Sequence, residues 1–283
     1  MNTPQPQLDA TDHNRDSAGM TYVYPVVSRR ARGVSIGINL NPNNACNWRC
    51  IYCQVPNLTR GAAPEIDLEQ LERELRALLQ DALHGTFMQQ RVPEEARRLE
   101  DIAFSGNGEP TSSAEFGAAI GVVERVLRDF GLLGKLPVRL ITNGSLIEKS
   151  GVLEAIRHLG QINGEVWFKV DAATTEGIAR INDVRLNPEG VLERLRMCAR
   201  ACPTWVQTCV FALDGKPPTE AELAAYLDLL RQAVPGIAGV YLYGLARTSM
   251  QPEAPRLSRL PDDWMQSLAK KIRQFGLTVN VNP

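Results

Sequence analysis

Short apolar runs alternate along the chain with longer segments in which apolar residues recur every three or four positions. The short runs are rich in β-branched residues, a pattern that predicts buried strands. Six such strands are predicted, at residues 34–40, 101–105, 138–142, 165–170, 204–212 and 239–245.

The longer segments predict amphipathic helices. Leucines between positions 68 and 82 form one apolar stripe, which follows Asp67, a residue suited to the N-cap, with Gln70 three residues on. A second stripe begins at Phe116 and ends before Gly131, a residue suited to the C-cap. Further helices are predicted near residues 148–159, 188–201, 219–233 and 262–275.

Regular alternation of strand and helix predicts an α/β fold with parallel strands covered by helices. Six strand–helix units fit either a doubly wound sheet or a partial barrel. Residues 1–22 are polar, contain two prolines and have no apolar period, so we expect a flexible tail there. No linker or repeat interrupts the alternation that follows, and we therefore expect a single domain over residues 23–283.

Composition narrows the classes of partner. The 283 residues include 31 Lys and Arg against 32 Asp and Glu, so no strong basic field favours nucleic acid, although a local patch could still bind RNA. The basic segment 28–32 precedes the first predicted strand. It is either exposed to solvent or binds an anionic substrate or partner. No apolar run reaches the roughly 18 residues of a membrane helix, and no signal-peptide core is present. We expect a cytoplasmic protein with no membrane partner.

Six cysteines fall into two groups. Cys198, Cys202 and Cys209 lie in predicted helix and strand positions and are interpreted as buried structural thiols. The other three form Cys46-Asn-Trp-Arg-Cys50-Ile-Tyr-Cys53, in a turn-rich loop after the first strand.

The loop spacing lets three thiolates face one metal centre. A structural zinc ion would need a fourth cysteine or histidine, and none is close in sequence. Three thiolates instead suit a [4Fe–4S] cluster that leaves one iron without a protein ligand. Zinc and three coincidental structural thiols stay as alternatives.

Polar residues follow each predicted strand. In a barrel, the functional residues lie at these carboxyl ends of the strands. The second strand leads into Ser-Gly106-Asn107-Gly108-Glu109-Pro-Thr, whose glycines allow close approach of backbone to a ligand, or simply form a turn. Asn143 follows the third strand. Lys169 and Asp171 end the fourth strand on one face, and each needs solvent, the other, or a ligand.

The CxxxCxxC motif, with the aromatic Tyr52 before its last cysteine, resembles that of the radical SAM superfamily. The resemblance implies a single-domain partial (β/α)6 TIM-like barrel in which Cys46, Cys50 and Cys53 hold a [4Fe–4S] cluster. It also implies that S-adenosylmethionine (SAM) chelates the fourth iron through its amino and carboxylate groups. One electron from the cluster then cleaves SAM to methionine and a 5′-deoxyadenosyl radical, which abstracts hydrogen from the substrate.

The same resemblance assigns cofactor contacts. Gly106, Asn107, Gly108 and Glu109 stand where the family holds the SAM amino group, with an asparagine inserted. Lys169 is expected at the SAM carboxylate and Asp171 at a ribose hydroxyl or the substrate, and Tyr52 and Asn143 complete the predicted contacts. The family's glycine-rich adenine motif on strand five has no counterpart, because residues 206–213 contain no glycine.

Within the superfamily, residues 25–30, 36–39, 52–54 and 104–111 together resemble the branch that groups wyosine-type tRNA-modifying enzymes with Fe–S oxidoreductases of unassigned function. We therefore expect an enzyme that takes electrons from a low-potential flavodoxin- or ferredoxin-like donor. Its substrate stays open among an RNA nucleoside, a protein and a small metabolite. The alternatives are an electron-transfer or cluster-carrying protein that does not cleave SAM, and a zinc-stabilised binding module.

Overall fold

A curled eight-stranded sheet organises the computed structural model, which describes residues 7–8, 19–28 and 33–283. In chain order the strands of the described part are β1 (Val23–Ser28), β2 (Gly33–Ile38), β3 (Ala45–Cys46), β4 (Thr59–Arg60), β5 (Leu99–Phe104), β6 (Val138–Thr142), β7 (Gly164–Lys169), β8 (Thr204–Cys209), β9 (Ala212–Leu213), β10 (Gly239–Tyr243), β11 (Leu257–Ser258) and β12 (Thr278–Asn282). The large sheet has the order β1-β2-β5-β6-β7-β8-β10-β12, and β3 pairs with β4 and β9 with β11 outside it.

Helices follow the strands of the sheet and connect them. They are α1 (Leu68–His84), α2 (Phe87–Arg91), α3 (Phe116–Asp129), α4 (Ser150–Gln161), α5 (Thr175–Asn182), α6 (Pro188–Ala201), α7 (Glu220–Ala233) and α8 (Asp262–Arg273). Neighbouring helices pack along one side of the sheet in the order α1, α3, α4, α6, α7, α8. Among the described helices, none combines the length and the apolarity needed to cross a bilayer.

The six predicted strands form the centre of the sheet. β2, β5, β6, β7, β8 and β10 lie side by side in chain order, and all their pairings are parallel. This arrangement confirms the partial barrel and excludes the doubly wound alternative, whose strand order reverses at a switch point. Two edge strands were not predicted: β1, antiparallel to β2, and β12, parallel to β10. β1 contains Pro25, which an edge strand tolerates.

The two faces of the sheet differ because side chains alternate along each strand. Outward residues are apolar and fully buried under the helices, as Ile36, Ile102, Leu140 and Val240 illustrate. Inward residues line the inside of the curl and include polar side chains, as in Ser35, Asp101, Arg139 and Gln207. The apolar core therefore lies between sheet and helices, and the inside of the curl is left for a ligand.

The first helix illustrates how local sequence sets the elements. The Asp67 side chain accepts from the amide of Gln70 at 2.9 Å and caps α1, as predicted. Its leucines at three- and four-residue spacing are buried against the sheet and α3. Gly131, two residues after the end of α3, has a φ of 67°, which suits the C-cap role predicted for it.

The described parts of segment 1–22 are packed against the fold. Leu8 is buried, and its amide donates to the Arg91 carbonyl at 2.7 Å. The amides of Thr21 and Tyr22 donate to the Glu74 carboxylate of α1. Of the predicted basic segment 28–32, residues 29–32 lie outside the described residues.

Candidate functional site

A cavity of about 300 Å³ opens at the carboxyl ends of the parallel strands and extends into the curl of the sheet. Cys46, Cys50 and Cys53 line it together with Tyr52. The predicted SAM-contacting residues that also line it are Gly106, Asn107, Gly108, Glu109, Asn143 and Lys169. Segments distant in sequence therefore meet in one cavity because parallel strands end at the same edge.

The three loop thiols are free and half-buried at the mouth of this cavity. Burial raises the pKa of Cys46 to about 11, although a hydrogen bond from the Trp48 amide acts in the opposite direction. Burial also raises the pKa of Cys50 to about 12, although the charge of Lys169 opposes the increase. The Asn182 side chain donates to the Cys50 sulfur at 3.3 Å. Such thiols become thiolates readily only when a positively charged centre replaces their lost hydration.

The described residues hold no group of three or more His, Cys, Asp or Glu side chains that could hold a single metal ion. The thiols line the wall of the cavity without converging on one point. A polynuclear cluster has ligands on separate irons, and its thiolates are therefore spread more widely than those of one ion.

Close packing explains the glycines that follow β5. Gly106 has a φ of 151°, and a Cβ there would lie 2.4 Å from the Asn39 side-chain oxygen. A Cβ on Gly108 would lie 2.0 Å from the Ala45 carbonyl oxygen. The glycines thus let the 105–109 loop pack directly onto the loop that carries the cysteines.

Asparagine side chains hold these two loops together. The Asn39 oxygen accepts from the amides of Asn41 and Asn107, at 3.0 and 3.1 Å. The Asn107 side chain donates to the Asn44 oxygen at 2.6 Å. Its own side-chain oxygen is shielded from solvent and has no partner among the described residues. The sequence did not indicate Asn39, whose role depends on a contact 68 residues away.

Glu109 braces the ends of β5 and β6. It is buried, and its carboxylate accepts from the Thr111 and Thr142 hydroxyls at 2.6 Å each and from the Asn143 amide at 2.7 Å. Burial raises the pKa of this carboxyl, while the donors that surround it act in the opposite direction. Both carboxylate oxygens are engaged by the protein, which leaves the backbone of this loop better placed than the Glu109 side chain for ligand contact.

Asn143 lies beside the cysteine loop. Its side-chain amide donates to the Asn47 oxygen at 2.8 Å, and Asn47 in turn donates to the Ser145 hydroxyl at 2.7 Å. Asn47 is the residue immediately after Cys46, so the end of β6 is tied to the cysteine motif itself. Helix α4 begins only at Ser150, so Ser145 belongs to the loop between β6 and α4.

Tyr52, Lys169 and Asp171 form one buried polar group. Lys169 donates to the Tyr52 hydroxyl, which donates to Asp171 at 2.6 Å, and Lys169 and Asp171 lie 3.5 Å apart. Burial disfavours the charged lysine, but Asp171 and the neighbouring Tyr243, Cys50 and Cys209 together outweigh it and hold the pKa of Lys169 above its usual value. Burial and the neighbouring Asp171 also raise the pKa of Tyr52.

Asp171 lies behind the cavity wall. Its side chain is fully buried, and it also accepts from the Asn182 amide at 2.8 Å and the Cys209 backbone amide at 3.1 Å. The salt bridge considered for Lys169 and Asp171 is therefore present. Lys169 reaches the cavity, whereas Asp171 contacts the residues that form it.

A segment that the sequence did not indicate packs over the outside of the cysteine loop. Ser249 donates to the Ile51 carbonyl at 2.8 Å, and the Met250 amide donates to the Cys53 carbonyl at 2.9 Å. Arg49, within the motif, forms a bidentate ion pair with Glu253 at 2.8 and 2.9 Å. We call residues 249–253 the strap.

All three downstream cysteines are buried as predicted, but only two of them lie away from the cavity. Cys198 and Cys202 are buried in the core between sheet and helices. Cys209 is also buried, but it lines the cavity on the inner face of β8. The sequence could have indicated this position, because side chains alternate along a strand and Cys209 lies on the same face as Gln207 and Trp205.

The chain was compared with solved structures. A radical SAM methyltransferase from Sphaerobacter thermophilus superposes with a TM-score of 0.59 at 14% identity, covering 88% of this chain and 66% of that one. HydG, a maturase of the [FeFe]-hydrogenase, superposes with a TM-score of 0.52 at 12% identity, covering 87% of this chain and 50% of that one. These likenesses establish the half-barrel fold.

Two curated proteins are similar in sequence. UPF0026 protein MJ1312 of Methanocaldococcus jannaschii is 27% identical over 183 residues, which is 62% of this chain and 48% of that protein. A protein named GTPase Obg from Brachyspira hyodysenteriae is 30% identical over 129 residues, 44% of this chain and 16% of that one. The chain thus spans less than half the length of either relative, and the wyosine-type branch stays a prediction.

The sequence model of the Radical SAM superfamily matches residues 40–230, a region that includes the cysteine loop, the 105–109 loop and the Tyr52 group. The match covers well over half of the chain, and the fold agrees with it. The chain therefore belongs to the radical SAM superfamily, whose members use a [4Fe–4S] cluster and SAM.

Proposed function

We propose that the chain is a radical SAM enzyme in which Cys46, Cys50 and Cys53 bind the cluster and the adjoining cavity binds SAM. The observation that carries the proposal is the meeting of three free thiols with the 105–109 loop, Asn143 and Lys169 in one cavity. When bound, the cluster would supply the electron that cleaves the sulfonium bond of SAM.

The donor set supports this assignment. Three thiols from one loop match a cluster that keeps one iron open, and no disulfide engages them. Their raised pKa values mean that a cationic cluster would be the partner that keeps them deprotonated. The thiols would release protons as the cluster binds.

The residues around the thiols would hold SAM by its polar ends. Lys169, kept charged by Asp171, would face the SAM carboxylate from the cavity wall. The 105–109 backbone and Asn143 would face the amino group. Asp171 would act as a positioning residue through Lys169 and Tyr52, a role that its complete burial favours over the ribose contact expected from the resemblance.

A low-potential electron donor is part of the proposal, because the chemistry consumes an electron. A flavodoxin- or ferredoxin-like protein would supply it at the cysteine-loop surface. The substrate is proposed only as a group that enters the curl of the sheet. RNA nucleosides, proteins and small metabolites all stay within that description.

The test is product analysis after anaerobic reconstitution with iron and sulfide. With SAM and dithionite, the wild-type chain should form 5′-deoxyadenosine and methionine in equal amounts, and the Cys50→Ala variant should form neither. Iron-loaded wild-type protein that forms no deoxyadenosine would instead support an electron-transfer or cluster-carrying protein. A wild-type chain that binds zinc and no iron would support the zinc-stabilised module.

A further inference from the structure

The fifth parallel strand leaves one part of SAM without an assigned partner. Strand β8 and its extension lack the glycine that would bring the family's backbone contact to adenine, since residues 206–213 contain none. Adenine nevertheless carries an amino donor and ring-nitrogen acceptors, and these need hydrogen-bonding partners inside a cavity.

Gln207, in the middle of β8, has the properties of such a partner. It lines the cavity, although only 2% of its surface is exposed. Its Cα pairs with Lys169 of β7 and Tyr241 of β10, which places it inside the curl of the sheet. Its backbone carbonyl accepts from the Val170 amide, but its side-chain amide makes no hydrogen bond to any residue that the structure describes.

The rest of this wall makes the unpaired amide unusual. Arg139 is paired with Asp101 and with Glu165, and Lys169 with Asp171. A buried amide without a partner is unfavourable, because it has lost its hydrogen bonds to water without replacement. The Gln207 amide faces the cavity, and a polar molecule that enters the cavity can therefore supply its hydrogen bonds.

The chemistry around Gln207 favours a neutral, planar group. The two cations beside Gln207, Arg139 and Lys169, are already paired with the carboxylates of Asp101 and Asp171. Trp167 lines this wall and packs against Tyr241 behind it, with ring centroids 4.4 Å apart, so an aromatic ring lies beside Gln207 in the cavity. A primary amide presents one donor and one acceptor side by side, the complement of adenine's amino group and adjacent ring nitrogen.

We propose that Gln207 binds the hydrogen-bonding edge of the SAM adenine, accepting from its 6-amino group and donating to a ring nitrogen. The inference rests on the proposed function, which supplies the adenine. It assigns to a side chain the recognition that a glycine-rich backbone provides in relatives. The competing possibility is that Gln207 contacts the substrate instead.

The test measures binding and requires no turnover. Dissociation constants are determined anaerobically by calorimetry on the cluster-loaded, unreduced full chain. Two ligands are compared: SAM, and the SAM analogue with purine in place of adenine, which lacks only the 6-amino group. Wild-type protein should bind SAM about tenfold more tightly than the analogue.

Gln207→Met keeps the length of the side chain and removes both hydrogen-bonding atoms. It should weaken SAM binding about tenfold and reduce the preference for SAM over the analogue to less than about twofold. Gln207→Leu should give the same result with a different side-chain shape, and retained thermal unfolding would show that both variants fold. Asn282→Leu removes an amide elsewhere on the cavity wall and should leave the preference unchanged.

The outcomes separate the two proposals. A Gln207→Met protein that keeps the tenfold preference overturns the adenine contact and assigns Gln207 to the substrate. Equal loss in Asn282→Leu also overturns it, because the effect would then be a general disturbance of the cavity. Wild-type protein that loads a cluster but binds no SAM contradicts the proposed function, and the inference with it.

Discussion

The two faces of one sheet follow different rules. On β8, Val206 and Thr208 point toward the helices, while Gln207 and Cys209 line the cavity. The outer face is selected for packing, and its residues are apolar or satisfy their hydrogen bonds internally, as Thr208 does with Tyr226 at 2.7 Å. The inner face carries amides, ions and a thiol. Alternate residues of a single strand therefore serve stability and ligand contact.

The cysteines show the same division. Cys198 and Cys202 are part of the apolar core, where burial raises the pKa of each to about 12. Cys46 and Cys50 have pKa values raised to a similar extent, yet they lie at the cavity mouth beside Lys169. The raised pKa values therefore do not distinguish the two groups of thiols. The proposed cluster ligands differ from the structural thiols in lying at the cavity.

The largest expected effect comes from removing one of the three loop thiols. Replacing Cys46, Cys50 or Cys53 with Ala should abolish cluster binding, because two thiolates cannot hold the cluster stably. Replacing Cys202 with Ala should leave the iron content unchanged. Iron and sulfide analysis after anaerobic reconstitution measures both, and comparable iron loss in Cys202→Ala would mean that the two groups are not separate.

A smaller effect distinguishes the two faces within β6. Leu140→Ala removes a fully buried outward side chain and should lower the free energy of unfolding by about 2–5 kcal/mol. Ile141→Ala, the next residue, removes a side chain that lines the cavity and should cost clearly less, since no closed core is emptied. Urea unfolding of the apoprotein gives both values. Equal costs would contradict the division of the sheet.

The smallest effect concerns the strap and is pH-dependent. Hydrogen bonds from Arg49 lower the pKa of Glu253 below its usual value. The ion pair therefore stabilises the folded state above the unfolded-state pKa of glutamate, and this stabilisation is lost as pH falls through the lower folded-state pKa. At neutral pH Glu253→Gln should lower the midpoint of thermal unfolding of the apoprotein by no more than about 4 °C.

That difference should stay constant from neutral to mildly alkaline pH and vanish in strong acid. Glu154→Gln, at an exposed position on α4, is the matched control and should change little at any pH. A Glu253→Gln effect that grows as the pH falls would show that the ion pair with Arg49 does not stabilise this loop.

The sequence predicted those features that depend on local pattern. Apolar runs located the six central strands, and loop chemistry placed Cys50, Cys53 and the 105–109 segment outside regular structure. Cys46 was expected there too, but it ends the two-residue strand β3, which pairs with β4. β1 and β12 were missed because β1 contains a proline and the apolar residues of β12 alternate with asparagine, and both pair with a neighbouring strand of the sheet. The eight-residue α5 was missed for a similar reason, since it has few apolar residues.

The contacts within the site could not be predicted, because they join residues far apart in the chain. Arg49 pairs with Glu253, and Asn39 binds Asn107. Glu109 and Asp171 were predicted as ligand contacts, but no local pattern indicates that neighbouring strands enclose both side chains. Pattern identifies which residue types can do chemistry. Only the fold decides which of them face the cavity.

The central claim is that the loop thiols hold a cluster with one open iron at the SAM cavity. Electron paramagnetic resonance of the reduced, reconstituted protein with and without SAM tests it most directly. We predict a [4Fe–4S]⁺ signal whose g values shift when SAM is added. A [4Fe–4S]⁺ signal that is identical with and without saturating SAM would contradict the account.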